Sequence, residues 1–104
     1  MIIGVDKMKK SISYKDYLSK SLKEPNVAAE YLNAALEEGN EAFTLALKDV
    51  VKALGGSVSN IAARTNLNRE SLYKTLSEKG NPHLKSLNAI INSLGLQLRV
   101  TTRL

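Results

Sequence analysis

Ser59-Asn60-Ile61-Ala62-Ala63-Arg64-Thr65-Asn66-Leu67-Asn68-Arg69-Glu70-Ser71-Leu72-Tyr73-Lys74-Thr75-Leu76 is the stretch that decides the fold of this chain. Its spacing predicts two short helices joined by a tight turn. Ala62 is small where the two helices cross, so their backbones can approach. Asn66 follows four residues later, at a position that asks for a left-handed backbone, which Asn tolerates better than most residues. Leu67 is placed to plug the space between the helices, and Asn68 to cap the second one. Leu72 and Leu76, four apart, share one helical face and anchor it. Asn68, Arg69, Glu70, Ser71, Tyr73 and Lys74 are left as the outward set.

That set suits a helix whose N-terminal residues enter the major groove of DNA. Arg69 can bridge O6 and N7 of guanine, Asn68 can pair with adenine, and Glu70 can accept from cytosine N4. Ser71 lies in the same base-facing group. Tyr73 fits a thymine methyl, a phosphate, or equally a place in the core. Lys74, Lys79, His83 and Lys85 are candidates for phosphate contacts. So are Ser57, Ser59 and Asn60 at the start of the preceding helix, where free backbone N–H groups favour an anion. Two readings of the stretch stand: a helix-turn-helix over about 58–78, or a helical hairpin that only packs.

Outward from this stretch, the rest of residues 14–104 reads as one helical domain. Tyr14, Tyr17, Leu18 and Leu22 recur at helical spacing. Pro25 suits a first helical residue, and Val27, Ala28, Tyr31, Leu32, Ala35 and Leu36 continue from it until Gly39. Asn40 can cap a third helix, with Phe43, Ala46, Leu47, Val50, Val51 and Leu54 along one side and Gly55-Gly56 as its stop. Asn81 as cap and Pro82 as first residue open a last helix with Leu84, Leu87, Ile90, Ile91 and Leu94 inward. From Leu96 the period changes to two: Leu96, Leu98, Val100 and Thr102 alternate with Gln97, Arg99, Thr101 and Arg103. Strict alternation predicts a strand over about 96–102. A lone strand is not stable, so it needs a second copy, a partner protein or the Ile2–Val5 segment. Residues 1–13 are a lysine-rich arm without a period.

Composition narrows the function. At 104 residues and 43% hydrophobic content the chain suits a single domain with one modest core. There is no cysteine, which excludes disulfides, thiolate metal sites and cysteine nucleophiles. His83 is the one histidine, so the usual multi-histidine zinc site is also excluded, and neither a cofactor nor a metal is expected. Asp49 and Glu41 stand two helical turns apart and make no catalytic pair. Gly55-Gly56 lacks the Lys-Ser/Thr of a phosphate loop. An enzyme is therefore the poorest fit. No apolar run approaches the ~20 residues of a membrane span, and a cytoplasmic protein is expected.

Charge is unevenly placed. The net value is +5, yet residues 24–56 carry an excess of four negative charges, while 57–104 hold seven basic residues against two Glu. A basic half suggests polyanion binding. The acidic middle (Glu24, Glu30, Glu37, Glu38, Glu41, Asp49) reads either as a surface for a basic partner or as plain solvated helix faces.

Several runs, in order, resemble one known family. They are Tyr31-Leu32-Asn33-Ala34-Ala35-Leu36-Glu37-Glu38-Gly39-Asn40, Ala42-Phe43-Thr44-Leu45-Ala46-Leu47-Lys48-Asp49-Val50, Asn68 to Ser77, Gly80-Asn81-Pro82 and Leu94-Gly95-Leu96. Over roughly residues 14–100 the chain is similar to the probable addiction-module antidote proteins, themselves similar to HigA-type antitoxins. The resemblance implies a mostly α, lambda-repressor-like (Xre) helix-turn-helix domain of five to six helices, with an N-terminal helical extension and one C-terminal strand. It implies a type II antitoxin that neutralises a RelE/ParE-like (HigB-type) toxin, a small ribosome-dependent RNase. Such a protein also represses its own promoter by binding operator DNA, as a homodimer. Asn66 stands where the family usually has Gly, and Asn68 where it has Ser; both keep the backbone and capping chemistry. A stand-alone Xre-type regulator without a toxin is the alternative reading.

Overall fold

In a computed structural model of the chain, residues 14–77 and 81–103 are described. The expected arm over residues 1–13, and Lys79, lie outside the described residues. Among the described residues six α-helices follow one another: α1 (Tyr14–Ser21), α2 (Pro25–Glu38), α3 (Asn40–Val50), α4 (Val58–Thr65), α5 (Arg69–Thr75) and α6 (Leu84–Ser93). A single wide π-turn, Val51–Gly55, prolongs α3. No strand occurs among the described residues.

Each boundary has a local cause. Pro25, lacking an N–H to leave unpaired, opens α2. Gly39 closes it with φ at 131° and donates its N–H to the Ala35 carbonyl. The same glycine, and not Asn40, is the cap of α3; Asn40 is already helical. Asn40 still serves the helix, because its carbonyl accepts from the Thr44 hydroxyl at 2.9 Å. That bond satisfies the polar group of a side chain only 2% exposed. Gly56, at φ 83°, turns the chain out of the π-turn.

The helical stripes meet in one core. Leu22, Ala28, Leu32, Phe43, Leu47, Val50, Val51, Ile61, Leu72 and Ile90 are all buried. α2 lies against α3, and α4 against the π-turn, α5 and α6. Gly55 lets the π-turn come close to α4: a Cβ there would sit 2.7 Å from Ile61 Cδ1. Arg64 ties α4 to α6, its Nη1 donating to the Ser93 carbonyl at 3.3 Å. A guanidinium beside the free carbonyls of a helix C-terminus is favourably placed.

Besides the Asn40 cap, four expectations need correction. Tyr14, Tyr17, Val27 and Leu36, read as inward, are exposed, because the apolar faces of α1 and α2 are wider than the surface that covers them. Leu84, read as the start of a buried stripe, is 73% exposed, since α6 meets the core only from Leu87 onward. Asn81 and Pro82 do not open α6. Its cap is His83, and Pro82 is half-buried, lining a small hollow with Leu36, Phe43 and Leu87. Finally, residues 96–102 form no strand. Leu96 and Leu98 are half-buried and Gln97 and Arg99 exposed, but Val100 and Thr102 are exposed as well, so the alternation is kept only as far as Arg99. Within one chain, however, no described segment lies alongside to complete a ladder.

Candidate nucleic-acid interface

The turn between α4 and α5 is built almost entirely from side-chain to backbone hydrogen bonds. Ser57 caps α4, its hydroxyl accepting from the Asn60 N–H at 3.2 Å. At the far end Thr65 donates its hydroxyl proton to the Ile61 carbonyl at 2.7 Å and accepts from the Leu67 N–H at 3.3 Å. Between them Asn66 is the sole described non-glycine residue at positive φ, 61° with ψ 17°. Asn68 then caps α5, its Oδ1 accepting from the Ser71 N–H at 3.0 Å. Leu67, half-buried, closes the hairpin against the core.

α5 is held from one side only. Leu72 is 1% exposed and Leu76 3%. Arg69, Glu70, Ser71, Tyr73 and Lys74 are exposed, as is Asn68. Tyr73, for which a core place was equally open, is 56% exposed. The expected separation into an anchored face and an outward face is therefore what the chain adopts.

A shallow hollow of about 500 Å³ on the outer face of this helix is lined by Asn68, Glu70, Ser71, Tyr73 and Lys74, and two further grooves flank the helix. One, of about 540 Å³, runs between α5 and the start of α6 and brings Ser71, Lys74, Ser77, His83 and Ser86 together. The other, of about 400 Å³, lies toward α3 and the π-turn and is lined by Lys48, Lys52, Ser57, Tyr73 and Leu76. Thus Lys74 and His83 share one groove, and Ser57 and Tyr73 the other. Ser59 and Lys85 are exposed but line neither. Asn60 is partly committed: its Nδ2 donates to the Gly55 carbonyl at 3.2 Å, bracing the π-turn. Asn68 is likewise partly committed, because its Oδ1 already serves the cap. An amide that must accept from adenine N6 as well as donate to N7 competes with that bond.

Lys48 and Lys52 are the residues that sequence reading missed. They fall in the acidic middle third, where their charges are averaged away. Only folding sets them, with Ser57, beside the exposed Tyr73. The one signal in the sequence is their spacing of four, which places both on one side of a helix. Asp49, counted in the acidic surface, has another task. The Tyr31 hydroxyl donates to its Oδ2 at 2.7 Å, tying α2 to α3. Burial, then the hydrogen bond and the charge of Asp49, push the Tyr31 phenol well above its ordinary range.

With this geometry in hand, the relatives of the chain become informative. A family model described as "Probable addiction module antidote protein" matches residues 11–102. The chain belongs to this antidote family. Membership supports an antitoxin role in an addiction module, which carries a toxin partner in general terms. An uncharacterised protein of Haemophilus influenzae is 39% identical over 71 residues, covering 67% of this chain and 71% of its own length. No solved structure matches. Among the described residues no group of three or more His, Asp or Glu is arranged to hold a metal, and no helix is long and apolar enough to cross a membrane.

Proposed function

We propose that this antidote-family protein is the antitoxin of a type II toxin–antitoxin pair that also represses its own operator. It neutralises a RelE/ParE-like (HigB-type) toxin and binds double-stranded DNA through α4 and α5 as an Xre-like helix-turn-helix. The observation that carries the DNA reading is the polarity of α5. A seven-residue helix keeps Leu72 inside while Arg69, Tyr73 and Lys74 stand outside. Arg69 and Glu70 at its first turn contact base edges, with Asn68, Ser71 and Tyr73 beside them. Lys74, His83 and Lys85 on one side, and Ser57, Ser59, Asn60 and Lys52 on the other, attract the two phosphate backbones. Two copies then occupy successive major grooves about 34–36 Å apart.

The toxin occupies a different surface. Glu24 before α2, Glu30, Glu37 and Glu38 on it, and Glu41 in the first turn of α3 are all exposed. A nuclease that binds ribosomal RNA is basic, and this carboxylate face complements it. The activity is cytoplasmic, where both ribosome and operator are found.

Arg69→Ala tests the DNA reading. Operator affinity measured by fluorescence titration is expected to fall by about 1–3 kcal/mol with no change in melting temperature. Unchanged affinity removes Arg69 from the interface. For the antitoxin reading, the chain is co-expressed with the product of its neighbouring gene. Rescue of growth with co-purification is expected; failure of both overturns it.

A further inference from the structure

α2 and α3 are tied side by side where the Tyr31 hydroxyl donates to Asp49 Oδ2 at 2.7 Å. Around that bond an apolar surface stays open. Val27 and Ala34 stand four before and three after Tyr31, on the same side of α2, and Leu45 stands four before Asp49 on α3. Ala34 is exposed, Val27 is 38% exposed and Leu45 42%. Tyr14, also exposed, is near enough for its phenol to act on that of Tyr31. Leu36, a further exposed apolar residue of α2, lies on the opposite side of the helix, where it lines a small hollow with Leu96 and Leu98.

The charges around this surface are of one sign along α2. Glu30 follows Val27 by three residues, and Glu37 and Glu38 follow Ala34 by three and four, so all three glutamates of α2 border the apolar side. Glu41 precedes Leu45 by four on α3. α2 holds no Lys or Arg, and among the described residues none of these four glutamates has an ion-pair partner. Lys48 stands at the far edge, three residues past Leu45, and lines the groove toward α5. We propose that the face formed by Val27, Tyr31, Ala34 and Leu45 is where the basic toxin docks, an apolar side chain of the toxin settling among them while its Lys and Arg residues meet Glu30, Glu37, Glu38 and Glu41. An exposed apolar centre inside a polar rim is the anatomy of such an interface. The charged rim sets the rate and the choice of partner, and the centre holds it.

Other occupants fit this face less well. A second copy of the chain meeting it across a two-fold axis would set the same carboxylates against themselves. Nucleic acid is repelled by the same four charges. The inference rests on the antitoxin reading and adds to it which side of α2 and α3 the toxin covers; it is independent of whether α5 binds DNA.

The test compares two arginines on one helix. The full-length parent, Ala34→Arg and Leu36→Arg are each co-expressed with the product of the neighbouring gene, and the purified proteins are titrated against it. Ala34→Arg puts bulk and the wrong charge at the centre of the face. It is expected to weaken the complex at least tenfold and to abolish rescue of growth. Its melting temperature and sedimenting mass should match the parent's, because Ala34 is exposed and Arg is a good helix former. Leu36→Arg, on the other side of α2, is expected to bind and rescue as the parent does. Glu37→Lys with Glu41→Lys is expected to weaken the complex strongly at low salt and much less at high salt. An Ala34→Arg variant that binds as tightly as the parent overturns the proposal, whether residues 1–13 or nothing then covers the face. So does loss of binding in Leu36→Arg alone, which leaves the antitoxin reading standing with the toxin on the opposite side. A changed sedimenting mass in Ala34→Arg shows a contact between copies and overturns it too. A parent that neither rescues nor binds the neighbouring product overturns the antitoxin reading itself, and this inference with it.

Discussion

Leu72 and Tyr73 are neighbours in sequence and opposites in environment, and substituting each by alanine separates stability from recognition. Leu72 is 1% exposed and Tyr73 56%. Leu72→Ala removes three carbon atoms from a filled site. At about 0.8 kcal/mol for each buried CH₂ the transfer part alone is about 2.4 kcal/mol. The cavity left behind adds to this, placing the loss at about 3 kcal/mol, within the 2–5 seen for such changes. A domain of this size has only about 5–15 kcal/mol to lose. The melting temperature should therefore drop on the order of 10–20 °C. α5 is too short to persist without its anchor, so the loss appears in the global transition. Tyr73→Ala, by contrast, uncovers little and should move stability by about 0.5 kcal/mol or less. Its effect is expected on operator affinity. Urea and thermal unfolding followed by circular dichroism, beside an operator titration, measure both. A Leu72→Ala variant that melts like the parent, or a Tyr73→Ala variant that loses as much as Leu72→Ala, would refute the assigned faces of α5.

The turn and the α2–α3 contact yield two further expectations. Asn66→Ala puts a residue that tolerates the left-handed region less well than Asn at φ 61° and should lower stability by about 1 kcal/mol in a denaturant titration, whereas Asn66→Gly should be close to neutral. Tyr31 is held protonated by burial and by its bond to Asp49, so its folded pKa lies above the unfolded value near 10. A raised folded pKa means that this stabilisation is complete below pH 10 and is lost as pH climbs past the unfolded value toward the folded one. Unfolding midpoints measured between pH 8 and 11 should fall in the parent, and Tyr31→Phe should lose about 1 kcal/mol at pH 8 and show a shallower alkaline decline.

Where local chemistry decides the structure, the residues were sufficient evidence for it. Asn66 takes the left-handed backbone because Asn tolerates it better than most residues, and Asn68 takes the cap because its Oδ1 reaches the Ser71 N–H three residues on. Leu72 and Leu76 face inward because their spacing admits one face only. The misread positions are those decided at a distance. Pro82 and Asn81 carry the signals of a helix start, yet Pro82 is half-buried at a hollow shared with Phe43 and Leu87, and His83 takes the cap. Leu84 looks inward by periodicity but reaches past the edge of the core. The period of two over residues 96–102 is met by burial only at Leu96 and Leu98; beyond them every side chain is exposed, and a ladder depends on who lies alongside. Lys48 and Lys52 join the flank of α5 only through the fold; their spacing of four sets them on one side of a helix but does not say what that side faces.

The division of labour along α5 has a consequence for how such proteins diversify. Its packing depends on Leu72 and Leu76, its start on Asn68, and its entry angle on Asn66. Arg69, Glu70, Ser71, Tyr73 and Lys74 carry none of that burden, so each can be exchanged singly while the domain remains folded. Under the proposed role in DNA binding, duplicated copies within one genome drift apart in what they contact, one residue at a time, without passing through an unfolded ancestor.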